Sequence, residues 1–143
     1  MNDPKLWGPK AWSLFNYIVL SYSDLPNELE KTNMKNFFTS VGHVLPCNLC
    51  KQHYSETLIK YPIDDTVLAS KSSLVKWLIN IHNEVNISNG KAVLTHEEGL
   101  KQMLEQCEGT TPLSYYFTII IVILFVIFII YGIYLLYNKY YAQ

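Results

Sequence analysis

Cys47-Asn48-Leu49-Cys50 places two thiols three residues apart. On a helix or a helix-opening turn, such a pair closes a small, easily exchanged disulfide or supplies half of a metal site. Pro46 stands directly before Cys47, where a helix start is plausible. The unpaired N–H groups and positive dipole end of a helix N-terminus lower a cysteine pKa. A zinc site needs four ligands. Cys47, Cys50 and His53 could be three, with His43 or His82 as the fourth, but no second CxxC and no HxxxH accompanies them. We therefore prefer the redox reading and assign no metal. The remaining cysteine, Cys107, makes this a working pair plus one thiol, not a disulfide scaffold.

A second constellation runs from Trp77 through His82-Asn83-Glu84-Val85 to Asn86. On a helix, Trp77, His82 and Val85 share roughly one face, with Asn86 beside it. An aromatic plate, an imidazole and carboxamides suit a flat ring system with hydrogen-bonding edges. The plainer alternative makes Trp77 a core residue and His82 a satisfied polar group. Gly90-Lys91 follows and offers a cation to a phosphate.

The elements that must position these residues all read as helices. Pro9 fits a first helical turn, and Trp12, Phe15, Val19 and Tyr22 follow at helical spacing in a segment from Lys10 to Tyr22. Glu28 to Val44 carries Leu29, Met34, Phe37, Phe38 and Val41 at three- and four-residue steps. Asn48 to Tyr61 is a shorter third helix, and Ile63 to Ser70 a loop. Ser72 to Val85 is a fourth, with Leu74, Trp77, Leu78 and Ile81 as its stripe. Asn89-Gly90 signals a turn, and Thr95-His96-Glu97-Glu98 fits a capping box opening a fifth helix to about Cys107. The expected fold is all-α: a four-helix bundle with a short fifth helix, a frame in which cofactor sites form between facing helices. No GxGxxG occurs, so a dinucleotide here would not sit on a Rossmann fold.

Beyond the bundle the composition changes. No charged residue lies between Gly109 and Asn138, and Ile119 to Ile130 is unbroken apolar sequence. A helix needs about 20 mostly apolar residues to cross a bilayer; Leu113 to Tyr137 supplies them, with aromatics at both ends as interfaces favour. The expected layout is a catalytic domain over 1–108, a linker over 109–112, a transmembrane helix over 113–137 and a tail over 138–143. With no N-terminal signal pattern, the chain reads as a single-pass, C-terminally anchored protein with a cytosolic domain. Net charge is −1 and no basic run occurs, so nucleic acid has no electrostatic footprint.

Trp7-Gly8-Pro9-Lys10-Ala11-Trp12, Pro46-Cys47-x-x-Cys50 and Trp77-x4-His82-Asn83-x-Val85-Asn86-x3-Gly90-Lys91 together resemble the Erv/ALR family of FAD-linked sulfhydryl oxidases. The order and spacing match over most of residues 6 to 105, most like the short forms of large DNA viruses, whose membrane would be that of host or virion. The resemblance implies FAD in the mouth of the bundle. Cys47 would be the interchange thiol and Cys50 the cysteine that meets the flavin and passes it electrons, which go on to O2 as hydrogen peroxide. Trp7, Gly8, Trp12 and Asn16 would line the cofactor from the first helix. His82, Asn83, Val85 and Asn86 would contact it from the fourth, Trp77 would pack on the adenosine part, Lys91 would lie near the ribose or phosphates, and His53 is a further contact. It also implies a homodimer through the first two helices, for which Phe37 and Phe38 offer apolar surface.

The chain departs from that pattern in several places. Asn16 stands where relatives commonly carry His, so no imidazolium is available there. Neither an extra shuttle CxxC nor a distal structural disulfide is present, which implies a separate substrate: a thioredoxin-like or CxxC-bearing thiol protein. Cys107 is a free thiol or an intersubunit link. Asn86-Ile87-Ser88 is formally a glycosylation sequon, silent in a cytosolic domain. Two other classes suit parts of the sequence: a membrane-tethered thiol–disulfide carrier without flavin, and a tail-anchored adaptor with structural zinc. Colour and metal content separate all three.

Overall fold

Asp3 starts the first helix. Its carboxylate accepts from the Lys5 N–H at 2.9 Å, and Pro4 at the first helical position gives up an N–H that would be unpaired anyway. In the computed structural model, which describes residues 3–107 and 113–141, this helix is α1, Pro4–Leu20. It begins six residues before the expected start because Pro9 lies inside the helix, not in its first turn. Pro9 lacks only the N–H that would have met the Lys5 carbonyl, and Lys5 is exposed to water.

The other helices are α2 (Glu28–Val44), α3 (Asn48–Lys60), α4 (Lys71–Ser88), α5 (His96–Cys107) and α6 (Leu113–Tyr141). No strand occurs among the described residues. α2 opens with a reciprocal capping box between Asn27 and Glu30, and α5 is preceded by the same device between Thr95 and Glu98. The loop after α3 contains a short 3-10 turn, Val67–Ala69, that inserts Leu68 into the core. Tyr22 holds it there by donating its hydroxyl to the Leu68 carbonyl at 3.0 Å.

The chain divides into two compact units, Met1–Glu108 and Gly109–Gln143. In the first, α4 is the hub, packing against α1, α3, α5 and the 3-10 turn; α2 packs on α3, and α1 on α5. The centre is filled by Val19, Phe38, Leu68, Leu74, Leu78, Ile79 and Ile81. Phe38 packs edge-on against Phe15 and Trp77, so it belongs to this core, and Phe37 alone of that pair reaches the surface. The second unit holds α6; the most apolar 18-residue stretch within its segment Tyr115–Tyr141 has a mean hydropathy of 3.2 and no buried residue. By length and composition it is able to cross a membrane.

Candidate functional site

Cys47 is the N-cap of α3, and its Sγ accepts from the Cys50 backbone N–H at 3.2 Å. The two cysteines form a disulfide with their Cα atoms 5.1 Å apart, and both are half-buried. The pair thus sits on the positive end of a helix, where a sulfur released as thiolate is stabilised. One turn after Cys50, Tyr54 anchors α3 to α2 by donating its hydroxyl to the Phe38 carbonyl at 2.9 Å. Its ring lies where a Cβ on Gly42 would approach Cδ1 to 3.0 Å, so the missing side chain of Gly42 lets the helices close. Burial raises the Tyr54 phenol far above its ordinary pKa, so it stays a neutral donor. His53, between Cys50 and Tyr54, is exposed.

Gly8, Trp12 and Asn16 follow at four-residue steps along one face of α1. Trp12 stacks on His82 of α4, centroids 4.2 Å apart and planes 22° from parallel. One turn earlier, nothing lies within 4 Å of where a Gly8 Cβ would be, so the face opens above the ring pair. One turn later, Asn16 is 3% exposed and donates Nδ2–H to Gln106 Oε1 of α5 at 2.9 Å. Its Oδ1, like the indole Nε1 of Trp7, is buried without a partner. Burial, with the positive charge of Lys91 second, lowers the His82 pKa below its usual value. The stacked imidazole is therefore neutral at neutral pH.

The end of α4 is shaped by its polar residues. Asn83 spends its amide on the backbone of Leu94, donating at 2.8 Å and accepting at 2.9 Å, and so pins the connection to α5. What it keeps for a ligand is one Nδ2 hydrogen and one lone pair. Asn86 is buried, and its carbonyl accepts from Lys91 N–H at 2.8 Å while Gly90 N–H bonds to Ile87. With Gly90 at φ +67°, this is the Schellman stop that brings Lys91 back over the helix end. Val85 is half-buried and Lys91 exposed. Trp77 is in the core: its Nε1–H donates to the Tyr61 carbonyl at 2.9 Å and its ring meets Phe38.

Of the expected residues, the structure brings together Trp12, Asn16 and His82, and sets the cysteine pair at the N-terminus of α3, a helix that packs on α2 and α4. It places Trp77 in the core and His53 on the surface. Sequence reasoning missed Gln106. The available signal was a glutamine continuing the Gly99–Met103 stripe that α5 turns inward. A small cavity of about 10 Å³, the space of one water, lies between Asn16, His82, Leu94, Gln102, Met103 and Gln106. A larger open groove, about 390 Å³, lies along Lys60, Tyr61, Lys76, Trp77 and Asn80; on α4, Asn80 and His82 point to nearly opposite sides. Among the described residues no group of three or more His, Cys, Asp or Glu side chains is placed to hold a metal ion.

These features suit a flat heteroaromatic cofactor. Buried polar atoms without partners are rare; here an acceptor, Asn16 Oδ1, lies on the α1 face that stacks on His82, two turns beyond the open space at Gly8, and a donor, Trp7 Nε1, is a second such atom earlier on the same helix. The molecule is thus a helical bundle with a disulfide at one helix N-terminus and a polar, aromatic face on α1 and α4.

The chain belongs to the Erv1 / Alr family, whose model matches residues 9–106. It is 41% identical over 99 residues to a probable FAD-linked sulfhydryl oxidase of Acanthamoeba polyphaga mimivirus, across 69% of each chain. It is 30% identical over 100 residues to an FAD-linked sulfhydryl oxidase of African swine fever virus, across 70% of this chain and 81% of that one. Among solved structures it resembles the yeast Erv1 core, with a TM-score of 0.64 and 25% identity over 71% of this chain and 83% of that one.

Proposed function

We propose that this chain is an FAD-linked sulfhydryl oxidase that makes disulfides in protein substrates while α6 anchors it in a membrane. The observation that carries the reading is the Cys47–Cys50 disulfide capping α3, in a chain whose family relatives bear that name. A substrate thiolate attacks Cys47 Sγ, the Cys47–Cys50 bond breaks, and Cys50 leaves as a thiolate held by the helix N-terminus. The second substrate thiolate attacks the substrate sulfur of the mixed disulfide. Cys47 then leaves as a thiolate, and the substrate emerges oxidised with two electrons on the cysteine pair. Bound FAD supplies a two-electron acceptor that discharges to O2 with formation of hydrogen peroxide.

The chain's own residues bind and orient that group. Trp12 and neutral His82 give a stacked surface, Trp7 Nε1–H donates, Asn16 Oδ1 accepts, and Gly8 leaves room. Asn83, Val85 and Asn86 shape the α4 side, and Lys91 brings a positive charge to phosphate. Trp77 supports α4 from the core, and His53 is exposed on α3. The physiological substrate is a CxxC or thioredoxin-like protein. The chain works as a homodimer, on the cytoplasmic side of a host or virion membrane, in a viral disulfide-forming pathway. The layout is a catalytic domain over 1–108, a short linker, the span and a brief tail.

The test is the visible spectrum of the purified full chain in detergent and its oxygen uptake with dithiothreitol. A flavin band at ~450 nm that bleaches with thiol and recovers in air is expected. Cys50→Ser should keep the band and lose the bleaching; a Cys50→Ser protein that turns over normally refutes the assignment. A colourless chain that FAD cannot reconstitute refutes the flavin itself.

A further inference from the structure

We propose that an apolar rim around Cys47, made by Val44, Pro46 and Leu49, selects the substrate, and that it fits a protein cysteine pair flanked by apolar residues. This rests on the oxidase reading and specifies its substrate class. Exchange requires a covalent bond between the partner's sulfur and Cys47. A disulfide holds its two Cβ atoms about 4 Å apart. The residues beside the partner's cysteine must therefore lie against whatever surrounds Cys47.

What surrounds it is apolar and uncovered. Val44, the last residue of α2, is 74% exposed, and Leu49, in the first turn of α3 between the two cysteines, is 60% exposed. Pro46 is exposed as well. The bundle does not use these side chains: its core takes Leu45 from this segment and leaves Val44 and Leu49 out. Single exposed leucines are ordinary; three apolar residues within three positions of the reacting sulfur form a surface that every substrate has to touch.

The charge pattern argues against one alternative. No Asp or Glu lies between Glu30 and Glu56, whereas Lys51 follows Cys50 directly and Lys35, His43 and His53 lie in the same stretch. A cysteine flanked by lysines meets like charge here. One flanked by leucine or isoleucine gains burial against Val44 and Leu49, and its attacking thiolate keeps the favourable field of Lys51 and the α3 N-terminus. The exchange itself is unchanged: the partner's S–S bond to Cys47 forms as the Cys47–Cys50 bond breaks and its electron pair leaves on Cys50.

The experiment measures oxygen uptake by the full chain in detergent, loaded with FAD, on dithiothreitol and on three CxxC peptides flanked by leucine, glutamate or lysine. The expected order of kcat/KM puts the leucine-flanked peptide first, about tenfold over the lysine-flanked one, equivalent to about 1.4 kcal/mol. Leu49→Gln and Val44→Ser should each lower the leucine-peptide to dithiothreitol ratio of kcat/KM several-fold, through KM more than kcat. Equal rates on all three peptides, a preference for glutamate, or ratios untouched by both variants overturn this inference and leave the oxidase standing. A chain that oxidises neither dithiothreitol nor any peptide overturns both.

Discussion

Gly99→Ala is the sharpest test of how α5 reaches the site. A Cβ built on Gly99 would come within 2.8 to 2.9 Å of Cγ1, Cγ2 and Cδ1 of Ile79 on α4. Ile79 is fully buried and, being β-branched in a helix, is stiff at χ1, so it has nowhere to go. Overpacking of this kind costs about 1–3 kcal/mol, and three simultaneous contacts on one stiff side chain put this case in the upper half. Against that, alanine in place of a helical glycine gains about 0.5–1 kcal/mol. The clash wins, leaving a net loss of about 1–2.5 kcal/mol. Ile79→Ala deletes all three clashing atoms, so in that background Gly99→Ala should reverse sign and stabilise by about 0.5–1 kcal/mol. The resulting coupling, about 2–3 kcal/mol, lies in the range of residues in direct contact. Urea unfolding in detergent followed by tryptophan fluorescence reads this directly, because Trp7, Trp12 and Trp77 all lie in α1 and α4. A stabilising effect of Gly99→Ala alone, or the same effect in both backgrounds, would refute the close approach of α5 to α4.

Three further outcomes follow from the same geometry. Tyr54→Phe removes the buried hydroxyl that ties α3 to Phe38 and should cost about 0.5–1.5 kcal/mol, measured by urea midpoint, while Gly42→Ala presses on the same ring and should also destabilise. Gly90→Ala forces an alanine into the left-handed region and should cost about 1–2 kcal/mol, with a weaker FAD titration because Lys91 is no longer returned over α4. His82 has a folded pKa below its usual value, so the unfolded chain binds the proton more tightly. Its contribution to stability is present above the unfolded pKa, about 6.5, and is lost as pH falls through the folded pKa. Midpoints measured from pH 7 to pH 4 should fall with pH, and His82→Gln should flatten that slope; an unchanged slope would mean that His82 does not titrate as its burial requires.

What was legible in the sequence was what is local. Thr95 and Glu98 announce α5 because a capping box is written in four consecutive residues, and the apolar steps from Leu29 to Val41 give α2 at its observed boundaries. α1 was misplaced because a proline three residues before Trp12 looks like a helix start, whereas Asp3-Pro4 supplies the real one. The site was legible in residue type but not in partnership. Trp77 has the same chemistry whether it faces a ligand or Phe38, and only packing decides. Asn83 and Leu94 are eleven residues apart and Asn16 and Gln106 ninety, and helical periodicity names a buried face without saying which polar group waits across from it.

The packing explains how one small bundle serves two different tasks. The cysteine pair belongs to α3, which packs on α2 and α4, and the Trp12–Asn16 face belongs to α1, which packs on α4 and α5; α1 and α3 do not pack on each other. α4 is the helix common to both. Its buried stripe of Leu74, Leu78 and Ile81 holds the centre, and its later turns present His82 to Trp12 and pin Leu94 through Asn83. Substitutions that loosen α4 should therefore damage disulfide chemistry and cofactor binding together. Those at the rim of Cys47 should touch only exchange, and those at Asn16 or Gln106 only binding.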